Sequence, residues 1–463
     1  MTEGAVGKPL WTGWEIARAT GGIASSDFPV SGVAFDSREV GPGDLFIALK
    51  GETADGHDFL DKAFAAGAAG AIVSRATGKP HILVKDTGAA LDALGVASRA
   101  RMDGKVIGVT GSVGKTGTKE ALYAALDRFR PGRAHRSVKS YNNHVGVPLS
   151  LARMPRNTLF GIFEMGMNHA GELSALTRLV RPHVAIVTAI APAHIEYFGS
   201  EEAIARAKAE IFEGLEPGGV AIIPFDSAHY RLLREAAESH GADVITFGFG
   251  EGADVRASEA VPATNGGTLV SAKLPEAGLC FTVAAPGDHN VSNALAILAA
   301  VEAVGADLAA AGLALAEMPG LAGRGARSRV AAGKGEALLI DESYNANPLS
   351  MSATLRQLGR EKAARRIAVL GAMKELGTES AALHENLAIP LIEAKADLAI
   401  LVGEEMAPLA RRLEGRIALA HVADASEATD VLKSRIAPDD AILVKGSNSV
   451  GLSRLVAALA TGD

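Results

Sequence analysis

The chain has 463 residues, of which 48% are apolar and 21% are charged, which is the composition of an ordinary globular protein. Its length suggests about three domains, each long enough to bury a core of its own. The formal net charge is −7 and the sequence contains no basic block, so the charge pattern argues against a nucleic-acid partner.

The apolar and cysteine patterns bear on location in the cell. The start of the chain carries charges and lacks an apolar core, so we expect no signal peptide. The most apolar stretch, Ala294 to Ala316, contains Glu302 and is too interrupted for a membrane span. The single cysteine, Cys280, excludes a disulfide within the chain and, in its apolar context, is expected to be a buried thiol. We therefore expect a cytoplasmic protein.

Residues 1–103 form the first predicted domain, with short strands and helices in alternation. Its most informative string is Asp36-Ser37-Arg38, which directly follows a predicted strand. Polar residues at strand ends suit a site for a polar ligand. The alternative is local, because Asp and Ser favour turns and an arginine beside them would be a solvated charge. The spacing alone does not decide between these interpretations.

Residues 104–321 form the second predicted domain, whose alternating strands and helices are typical of a mainly parallel sheet. It opens with an apolar strand, the turn Gly111-Ser112-Val113-Gly114-Lys115-Thr116 and a helix. In a phosphate-binding loop the backbone N–H groups bind oxyanions, Lys115 reaches the β- and γ-phosphates, and the Thr116 hydroxyl is a ligand for Mg²⁺. The full pattern has a glycine where this chain has Val109, so an ordinary glycine turn stays the alternative.

Two further predicted strands of this domain end in groups that suit a metal. Glu164 ends the strand that begins at Leu159, and His194 follows the strand that begins at Val184. Because open α/β sheets bind ligands at the carboxyl ends of their strands, we expect both side chains at the edge that carries the phosphate loop. The alternatives are a helix-capping Glu164 and a packed His194.

Two helices of the second domain carry other candidates. Lys208 lies in a predicted helix from Glu201 to Leu215, where a surface lysine would be unremarkable. Asn290 and Asn293 are three residues apart at the start of an alanine-rich helix. Paired amides on one helical face suit an adenine or a metal-bound water, with N-capping by Asn290 as the alternative.

A linker is predicted at Met318 to Gly325, which is rich in glycine and proline, and we expect a hinge there. Residues 322–463 beyond it form the third predicted domain, a smaller doubly wound, Rossmann-like α/β unit. Its first strand ends in the string Asp341 to Pro348, whose density of polar side chains indicates a ligand edge facing the second domain.

Taken together, these strings resemble the Mur ligase family over almost the whole chain. The strings that carry the resemblance are Thr110 to Thr116, Asn142 to Pro148, Glu164 to Met167, Ala193-His194, Lys208 to Phe212, His289 to Ala294 and Asp341 to Pro348. The last of these is the most discriminating within the family, while the phosphate loop is common to its members.

The resemblance implies three α/β domains: an N-terminal domain for the UDP end of a sugar nucleotide, a central ATPase-type domain with a phosphate loop, and a C-terminal domain that closes over ATP and the amino substrate. It implies catalytic roles for Lys115, Lys208 and His194. Implied for ATP are Gly111, Ser112, Val113, Gly114, Lys115, Thr116, Asn290, Asn293, Arg324 and Asp341, and for metal Thr116, Glu164, His194 and Lys208 as a carbamate. Implied for substrates are Asp36, Ser37, Arg38, Asn142, Asn143, Ser343, Tyr344, Asn345 and Asn347.

The activity implied by the resemblance is an ATP- and Mg²⁺-dependent ligase, expected to be a monomer, which adds D-alanyl-D-alanine to UDP-N-acetylmuramoyl-tripeptide through an acyl phosphate. Such an enzyme serves cytoplasmic peptidoglycan precursor synthesis. The alternatives are a sibling Mur-type or folylpolyglutamate synthetase-like ligase and a nucleotide-binding module without chemistry. Ala372 and Asn448 depart from the family pattern, so the third domain is the less secure part of the transfer.

Overall fold

The computed structural model describes residues 8–192, 195–264, 267–318 and 320–460. In these ranges the strands form three large sheets and one two-stranded pair. The three sheets lie inside residues 1–103, 104–321 and 322–463, and we refer to them as the N-terminal, central and C-terminal sheets. The predicted α/β class is confirmed, while the domain boundaries stay predictions.

The N-terminal sheet has five strands in the order β2-β7-β6-β5-β4, of which β4 to β7 run parallel and β2 runs antiparallel to β7. The elements of this part are β1 (Trp11–Thr12), α1 (Gly13–Thr20), β2 (Ile23–Ala24), β3 (Pro29–Val30), β4 (Gly32–Ala34), β5 (Asp44–Ile47), α2 (Leu60–Ala65), β6 (Gly70–Val73), β7 (His81–Leu83) and α3 (Thr87–Ala100).

The central sheet has nine strands in the order β16-β15-β14-β13-β12-β11-β8-β10-β9. Its strands are β8 (Lys105–Thr110), β9 (Ala134–Arg136), β10 (Phe160–Glu164), β11 (Val184–Val187), β12 (Val220–Pro224), β13 (Asp243–Gly248), β14 (Val255–Pro262), β15 (Thr268–Lys273) and β16 (Gly278–Val283). Its helices are α4 (Lys115–Phe129), α5 (Gly146–Ala152), α6 (Glu172–Val180), α7 (Ile195–Phe198), α8 (Glu201–Ala209), α9 (Tyr230–Ser239), α10 (Asp288–Ala303) and α11 (Leu308–Glu317). Strands β8 to β14 pair in parallel, and β15 and β16 extend the sheet antiparallel.

The C-terminal sheet has six strands in the order β17-β18-β22-β19-β20-β21, all parallel except the edge strand β17. Its strands are β17 (Ala326–Ala332), β18 (Gly335–Glu342), β19 (Arg365–Gly371), β20 (Leu398–Val402), β21 (Ala418–Val422) and β22 (Asp440–Lys445). Its helices are α12 (Pro348–Arg360), α13 (Ser380–Glu385), α14 (Ala388–Glu393), α15 (Ala407–Leu413), α16 (Ala425–Arg435) and α17 (Leu452–Ala460).

The position of β8 in the middle of the central sheet follows from its sequence. Successive side chains of a strand point to opposite faces, so Val106 packs into one apolar core while Ile107 and Val109 pack into the other. A parallel strand covered by helices on both faces is apolar at nearly every position. The end of β8 is thereby fixed between two layers of helices, and the residues that follow it are held rigidly at the sheet edge.

The prediction of a buried Cys280 is wrong, because the structure exposes this thiol. Cys280 lies in β16, the outermost strand of the central sheet, where burial alternates with a period of two. Phe281 and Val283 face the core, so Cys280 faces away from it. Apolar neighbours in sequence do not bury a residue that lies on the outer face of an edge strand.

Candidate functional site

The phosphate-binding turn lies between β8 and α4, as predicted. Gly114 has a φ of 86°, and a Cβ on it would approach the Oδ1 atom of Asn293 to 2.8 Å. Only glycine therefore fits between the turn and the start of α10. Lys115 begins α4 and its Nζ donates to the Gly111 carbonyl at 2.6 Å. The chain thus forms an open turn of backbone N–H groups at a helix N-terminus, which binds anions.

Val109, which stands where the full phosphate-loop pattern has a glycine, lies inside β8 and is fully buried. It pairs with Glu164 on one side and with Ile186 on the other. The turn begins only at Gly111, after the strand has ended, so a side chain at position 109 belongs to the sheet core. This departure leaves the turn unaffected.

Glu164 ends β10 beside the turn, as the strand pattern predicted, and its carboxylate is almost completely buried. The Thr116 hydroxyl donates to Oε2 at 2.9 Å, and the Asn142 side-chain amide donates to Oε1 at 2.8 Å. The Glu164 backbone N–H donates to the Ser137 hydroxyl at 3.2 Å. Glu164 is not a helix cap, so its alternative interpretation is wrong.

The paired oxygens of Thr116 and Glu164 fit Mg²⁺. This ion keeps several waters and usually takes only one or two protein carboxylates together with substrate phosphates. Within the described ranges, no cluster of three or more histidine, cysteine, aspartate or glutamate side chains is arranged for a metal. One carboxylate and one hydroxyl beside a phosphate-binding turn therefore match the donor set of a phosphate-bound Mg²⁺ and not that of a metal held by protein alone.

The predicted ligand His194 lies outside the described residues, as does its neighbour Ala193. Its strand, β11, ends beside β8 at the same sheet edge. Thr188 follows β11 directly, and its hydroxyl donates to the Val113 carbonyl at 2.5 Å. Thr188 thus holds the phosphate-binding turn against the neighbouring strand.

Lys208 lies near the end of α8 and is almost completely buried, so the surface-lysine alternative is wrong. Its Nζ makes no hydrogen bond to any residue in the described part of the chain. Burial lowers the pKa of Lys208 far below its usual value, and the positive charge of Lys115 lowers it further. Both effects act in the direction of the neutral amine.

Lys115 and Arg324 add positive charge to the same region. Burial lowers the pKa of Lys115 and the charge of Arg324 lowers it further, while Glu164 acts in the opposite direction. The Arg324 guanidinium stacks over the Tyr344 ring at 4.1 Å. Cations that destabilise one another gather where an anion is to be bound, so the region favours a polyanionic ligand.

These groups line a cleft of about 480 Å³ between the central and C-terminal sheets. From the central part come the turn residues Ser112 to Lys115, Asn142, Glu164, Lys208, Asn290 and Asn293, and from the C-terminal part come Arg324, Tyr344, Asn345, Asn347 and Lys445. The structure therefore brings together most of the predicted nucleotide and metal residues, although they lie far apart in sequence.

Asn290 and Asn293 both face the cleft from the first turns of α10. Asn290 does not cap this helix, because the N-cap residue is Gly287 and the Asn290 amide donates to the Pro286 carbonyl at 2.9 Å. The capping alternative is wrong. Asn293 lies against Gly114, so its amide is beside the place where phosphates would bind.

Asp341 and Ser343 do not line the cleft. The Asp341 carboxylate accepts from the Gly323 N–H at 2.7 Å and from the Ser343 hydroxyl at 2.6 Å. It therefore fixes the linker to the end of β18. These contacts favour a role for Asp341 in supporting the predicted hinge over direct contact with a ligand.

The asparagines of the predicted substrate site differ in what they do. Asn347 caps α12, because its side-chain oxygen accepts from the Ser350 N–H at 2.9 Å. Asn143 lies in the turn before α5, where its side-chain oxygen accepts from the Gly146 N–H at 2.9 Å. Asn345 accepts from its neighbour Ala346. These residues shape the chain locally, whereas Asn142 reaches the buried carboxylate of Glu164.

Asp36, Ser37 and Arg38 lie away from the cleft, at the carboxyl edge of the N-terminal sheet. They form a turn in which the exposed Arg38 guanidinium pairs with the Asp36 carboxylate at 2.6 Å. This pairing lowers the pKa of Asp36 to about 2. The structure thus shows the local turn that was the alternative interpretation. The three residues follow a strand end, so a site for a polar ligand there stays a prediction.

Several residues of the site were not among the predicted site residues, among them Thr188, Lys119, Ser137 and Lys445. Lys119 lies three residues after Thr116 in α4, so helical spacing puts both on one face. That spacing is a signal that the sequence contains. The contacts of Ser137 and Lys445 depend on which strands are neighbours, and the sequence does not state this.

In the described part of the chain no helix is long and apolar enough to cross a membrane. Three family models match the chain: "Mur ligase family, catalytic domain" over residues 29–103, "Mur ligase middle domain" over 109–301, and "Mur ligase, glutamate ligase domain" over 326–448. The matched ranges follow the three sheets in order.

Among curated proteins, the UDP-N-acetylmuramoyl-tripeptide–D-alanyl-D-alanine ligase of Escherichia coli (strain K12) is 35% identical over 444 residues, which cover 95% of this chain and 96% of that protein. Among solved structures, MurF from Acinetobacter baumannii aligns with a TM-score of 0.84 at 32% identity, covering 97% of this chain and 98% of that one. MurF ligase from Thermotoga maritima, solved with ADP, aligns with a TM-score of 0.78 at 27% identity, covering 93% and 97%.

Proposed function

This chain belongs to the Mur ligase family, and we propose that it is an ATP-dependent ligase that adds D-alanyl-D-alanine to UDP-N-acetylmuramoyl-tripeptide in peptidoglycan synthesis. The observation that carries the proposal is the cationic cleft at the phosphate-binding turn, in a chain that matches ligases of this name over nearly its full length. The ADP complex of a similar structure supports ATP as the nucleotide.

The reaction has two steps. First, an oxygen of the tripeptide carboxylate attacks the γ-phosphorus of ATP, the bond to the bridging oxygen breaks, and ADP leaves with its electron pair. Second, the amine nitrogen of D-alanyl-D-alanine attacks the carbonyl carbon of the acyl phosphate, loses a proton and displaces phosphate. Most of the protein's work in such a reaction is positioning and charge stabilisation.

Different residues at the cleft bind the phosphates, the rest of the nucleotide and the metal. Lys115 and the turn N–H groups bind the β- and γ-phosphates, and Arg324 reaches the same ligand from the linker. Asn290 and Asn293 bind the nucleotide from α10. Thr116 and Glu164 hold Mg²⁺, which when bound neutralises charge on the phosphates.

Lys208 acts in the cleft as a carbamate. Its neutral amine attacks the carbon of CO₂, a nitrogen–carbon bond forms, and a proton passes to water. The product carries an anionic carboxylate-like group where the buried lysine had a poorly tolerated cation. The burial of Lys208 and its unpaired Nζ among the described residues support this role.

The N-terminal edge binds the UDP end of the donor through Asp36, Ser37 and Arg38, and the C-terminal part brings the amine and excludes water that would hydrolyse the acyl phosphate. The linker at Met318 to Gly325 is the hinge for this closure. Small-angle scattering with and without ATP and sugar nucleotide tests it, because an unchanged radius of gyration would contradict a closing hinge. We place the enzyme in the cytoplasm, as a monomer.

An amine panel tests the activity. The purified protein, with ATP, Mg²⁺ and UDP-N-acetylmuramoyl-tripeptide, should release phosphate and form the amide product with D-alanyl-D-alanine. D-Alanine, D-glutamate, L-lysine and diaminopimelate should give at most a few per cent of that rate. Preference for one of these would indicate a sibling ligase. If no amine increases phosphate release, the protein is a nucleotide-binding module without ligase chemistry. This is the alternative based on the departures of Ala372 and Asn448 from the family pattern.

A further inference from the structure

One buried charge of the central part has no place in the proposed chemistry. Lys119 is completely buried in α4 and does not line the cleft. A buried ammonium is costly unless oxygens surround it. Its Nζ donates to the Lys139 carbonyl at 2.6 Å and lies 3.1 Å from Glu120 Oε1 and 3.9 Å from Glu164 Oε2. Three oxygens therefore surround the ammonium: the Lys139 carbonyl, the Glu120 carboxylate as the nearer ionic partner, and the Glu164 carboxylate at the proposed metal site.

The carbonyl that Lys119 holds belongs to a residue in an uncommon conformation. Lys139 has a φ of 54°, in the left-handed region that residues with a Cβ rarely adopt. Such a conformation persists only where the surrounding contacts determine it. The bond from Lys119 is a charge-assisted one from a rigid helix, so it is well suited to fix this turn.

Lys139 lies in residues 137–143, which we name the crossing segment because it contacts all three parts of the molecule. Towards the central sheet, Ser137 and Asn142 bond to Glu164. Towards the N-terminal part, the Lys139 ammonium and the Tyr141 hydroxyl both donate to Glu39.

The third contact of the crossing segment is with the linker, where the Ser140 hydroxyl lies 3.5 Å from Arg324 Nη2. Glu39 itself stands directly after Arg38 in the proposed UDP-binding turn. The crossing segment therefore adjoins the proposed donor site, the proposed metal site and the predicted hinge. Lys119 holds this segment by donating to the Lys139 carbonyl.

We propose that Lys119 is a positioning residue for the Mg²⁺–nucleotide site: by holding the crossing segment and lying beside Glu164, it keeps that carboxylate and the Asn142 amide oriented towards the phosphates. The proposal rests on the proposed function for the identity of the ligand. Groups that orient a metal ligand typically change metal affinity by about 10- to 100-fold when they are removed. Lys119 touches neither substrate nor metal, so it acts through Glu164 and the crossing segment.

Lys119→Met removes the charge and keeps the length of the side chain. Calorimetry of ADP binding, with and without Mg²⁺, is the readout because it needs no amine and no turnover. We expect the strengthening of ADP binding by Mg²⁺ to fall about 10- to 100-fold, and ADP binding without Mg²⁺ to stay within about twofold. In the ligase assay the Mg²⁺ activation constant should rise while the KM for D-alanyl-D-alanine stays unchanged.

Arg99→Met is the matched control. Arg99 is another buried cation that donates to backbone carbonyls, those of Val180 and Arg181, and it pairs with Glu216 on the far side of the central part. The Arg99→Met variant should have a lower Tm than the wild type and should show the same effect of Mg²⁺ on ADP binding. A double-mutant cycle adds a second measure, because Lys119→Met combined with Asn142→Ala should be less than additive and Lys119→Met combined with Arg99→Met should be additive.

The proposal is overturned if folded Lys119→Met keeps the wild-type effect of Mg²⁺, or if wild-type ADP binding does not respond to Mg²⁺. Lys119→Gln keeps a hydrogen-bond donor and removes the charge. It replaces Lys119→Met in the binding measurements if the methionine variant does not fold. If neither variant folds while Arg99→Met does, Lys119 is required for the fold and not for the site, which also overturns the proposal. A wild-type protein that binds Mg²⁺–ADP but does not ligate D-alanyl-D-alanine would contradict the proposed function and leave the Lys119 comparison intact.

Discussion

The carboxyl edges of the N-terminal and central sheets are built alike but hold their charges differently. At the N-terminal edge, Asp36 and Arg38 are neighbours in an exposed turn and neutralise each other. At the central edge, Glu164 is buried and receives bonds from Thr116 and Asn142, residues that lie far from it in sequence.

The two edges therefore differ in how much their side chains must rearrange when a ligand binds. The central groups are fixed in place by packing before the nucleotide arrives, so little reorganisation is needed during the reaction. At the N-terminal edge the Arg38 guanidinium has to exchange its partner in the turn for the ligand, and exposed charges are screened by salt. We therefore expect changes at the central edge to affect the rate, and changes at the N-terminal edge to affect the binding of the donor.

The largest expected effect comes from Lys115→Ala. Loss of this ammonium removes charge stabilisation at the phosphates, and we expect kcat/KM to fall by about 10²- to 10³-fold. Phosphate release with D-alanyl-D-alanine measures it, and thermal unfolding checks the fold. Lys105→Ala, an exposed lysine at the start of β8, is the control and should be near wild type. Activity of Lys115→Ala within tenfold of wild type would contradict the phosphate-loop role.

Lys208→Ala tests the other buried lysine of the central edge. We expect a loss of about 10²-fold, because the variant lacks the group that becomes the carbamate. Acetate or propionate added to the assay should restore part of the rate by supplying a carboxylate to the vacated space. Neither should restore Lys115→Ala. Arg206→Ala, exposed on the same helix, is the matched control. Full activity of Lys208→Ala would exclude the role, and failure of every short carboxylate to rescue would count against the carbamate.

The stability of the central part should fall between pH 6.5 and pH 4, whereas the stabilisation by Asp36 in the N-terminal turn is lost only below about pH 4. Burial lowers the pKa of His135, next to the crossing segment in β9, to about 4, while its ring donates to the Ser150 carbonyl. The unfolded chain takes up a proton near pH 6.5 and the folded chain only near pH 4, so the stabilisation present above pH 6.5 is lost as the pH falls through that window.

This loss should amount to at most about 3 kcal/mol of the free energy of unfolding. His135→Gln keeps a donor and cannot titrate, so urea unfolding at pH 7 and pH 4.5 should show a smaller difference than in wild type. His240→Gln, at an exposed helix end, should behave as wild type. An equal pH dependence in wild type and His135→Gln would refute the assignment.

The smallest effect is expected at the N-terminal edge. Arg38→Ala should raise the KM for UDP-N-acetylmuramoyl-tripeptide by about tenfold and leave kcat and the KM for ATP within about twofold. The KM of the wild type for the donor should also rise with salt, and that of the variant less so. Arg18→Ala, exposed on α1, is the control. An unchanged donor KM would place the UDP site elsewhere.

Local features of the chain could be predicted from the sequence. The strand, glycine turn and helix around Lys115 are a local pattern, and they are where the sequence placed them. The alternation of strands and helices also gave the α/β class. The predicted helix from Glu201 to Leu215 is shorter, because α8 ends at Ala209 and continues only as a 3₁₀ turn, Glu210–Gly214.

Burial was the least predictable property. Cys280 looked buried among apolar neighbours and is exposed, and Lys208 had a surface alternative and is buried. In both cases the outcome depends on which element covers the residue. The resemblance implied a role for Asp341 at the ATP site, and its contact with the linker is visible only once β18 has been placed beside the linker.

The sequence by itself determined the phosphate-binding turn and the strand ends, because these depend on hydrogen bonds and periodicity within a few residues. The tertiary structure alone decided that Thr116 meets Glu164, 48 residues away, and that Lys119 holds the Lys139 carbonyl, 20 residues away. Those contacts follow from the order of strands β8, β10 and β9 in one sheet. Strand order is set by the packing of whole helices on both faces, and no local pattern of residues encodes it.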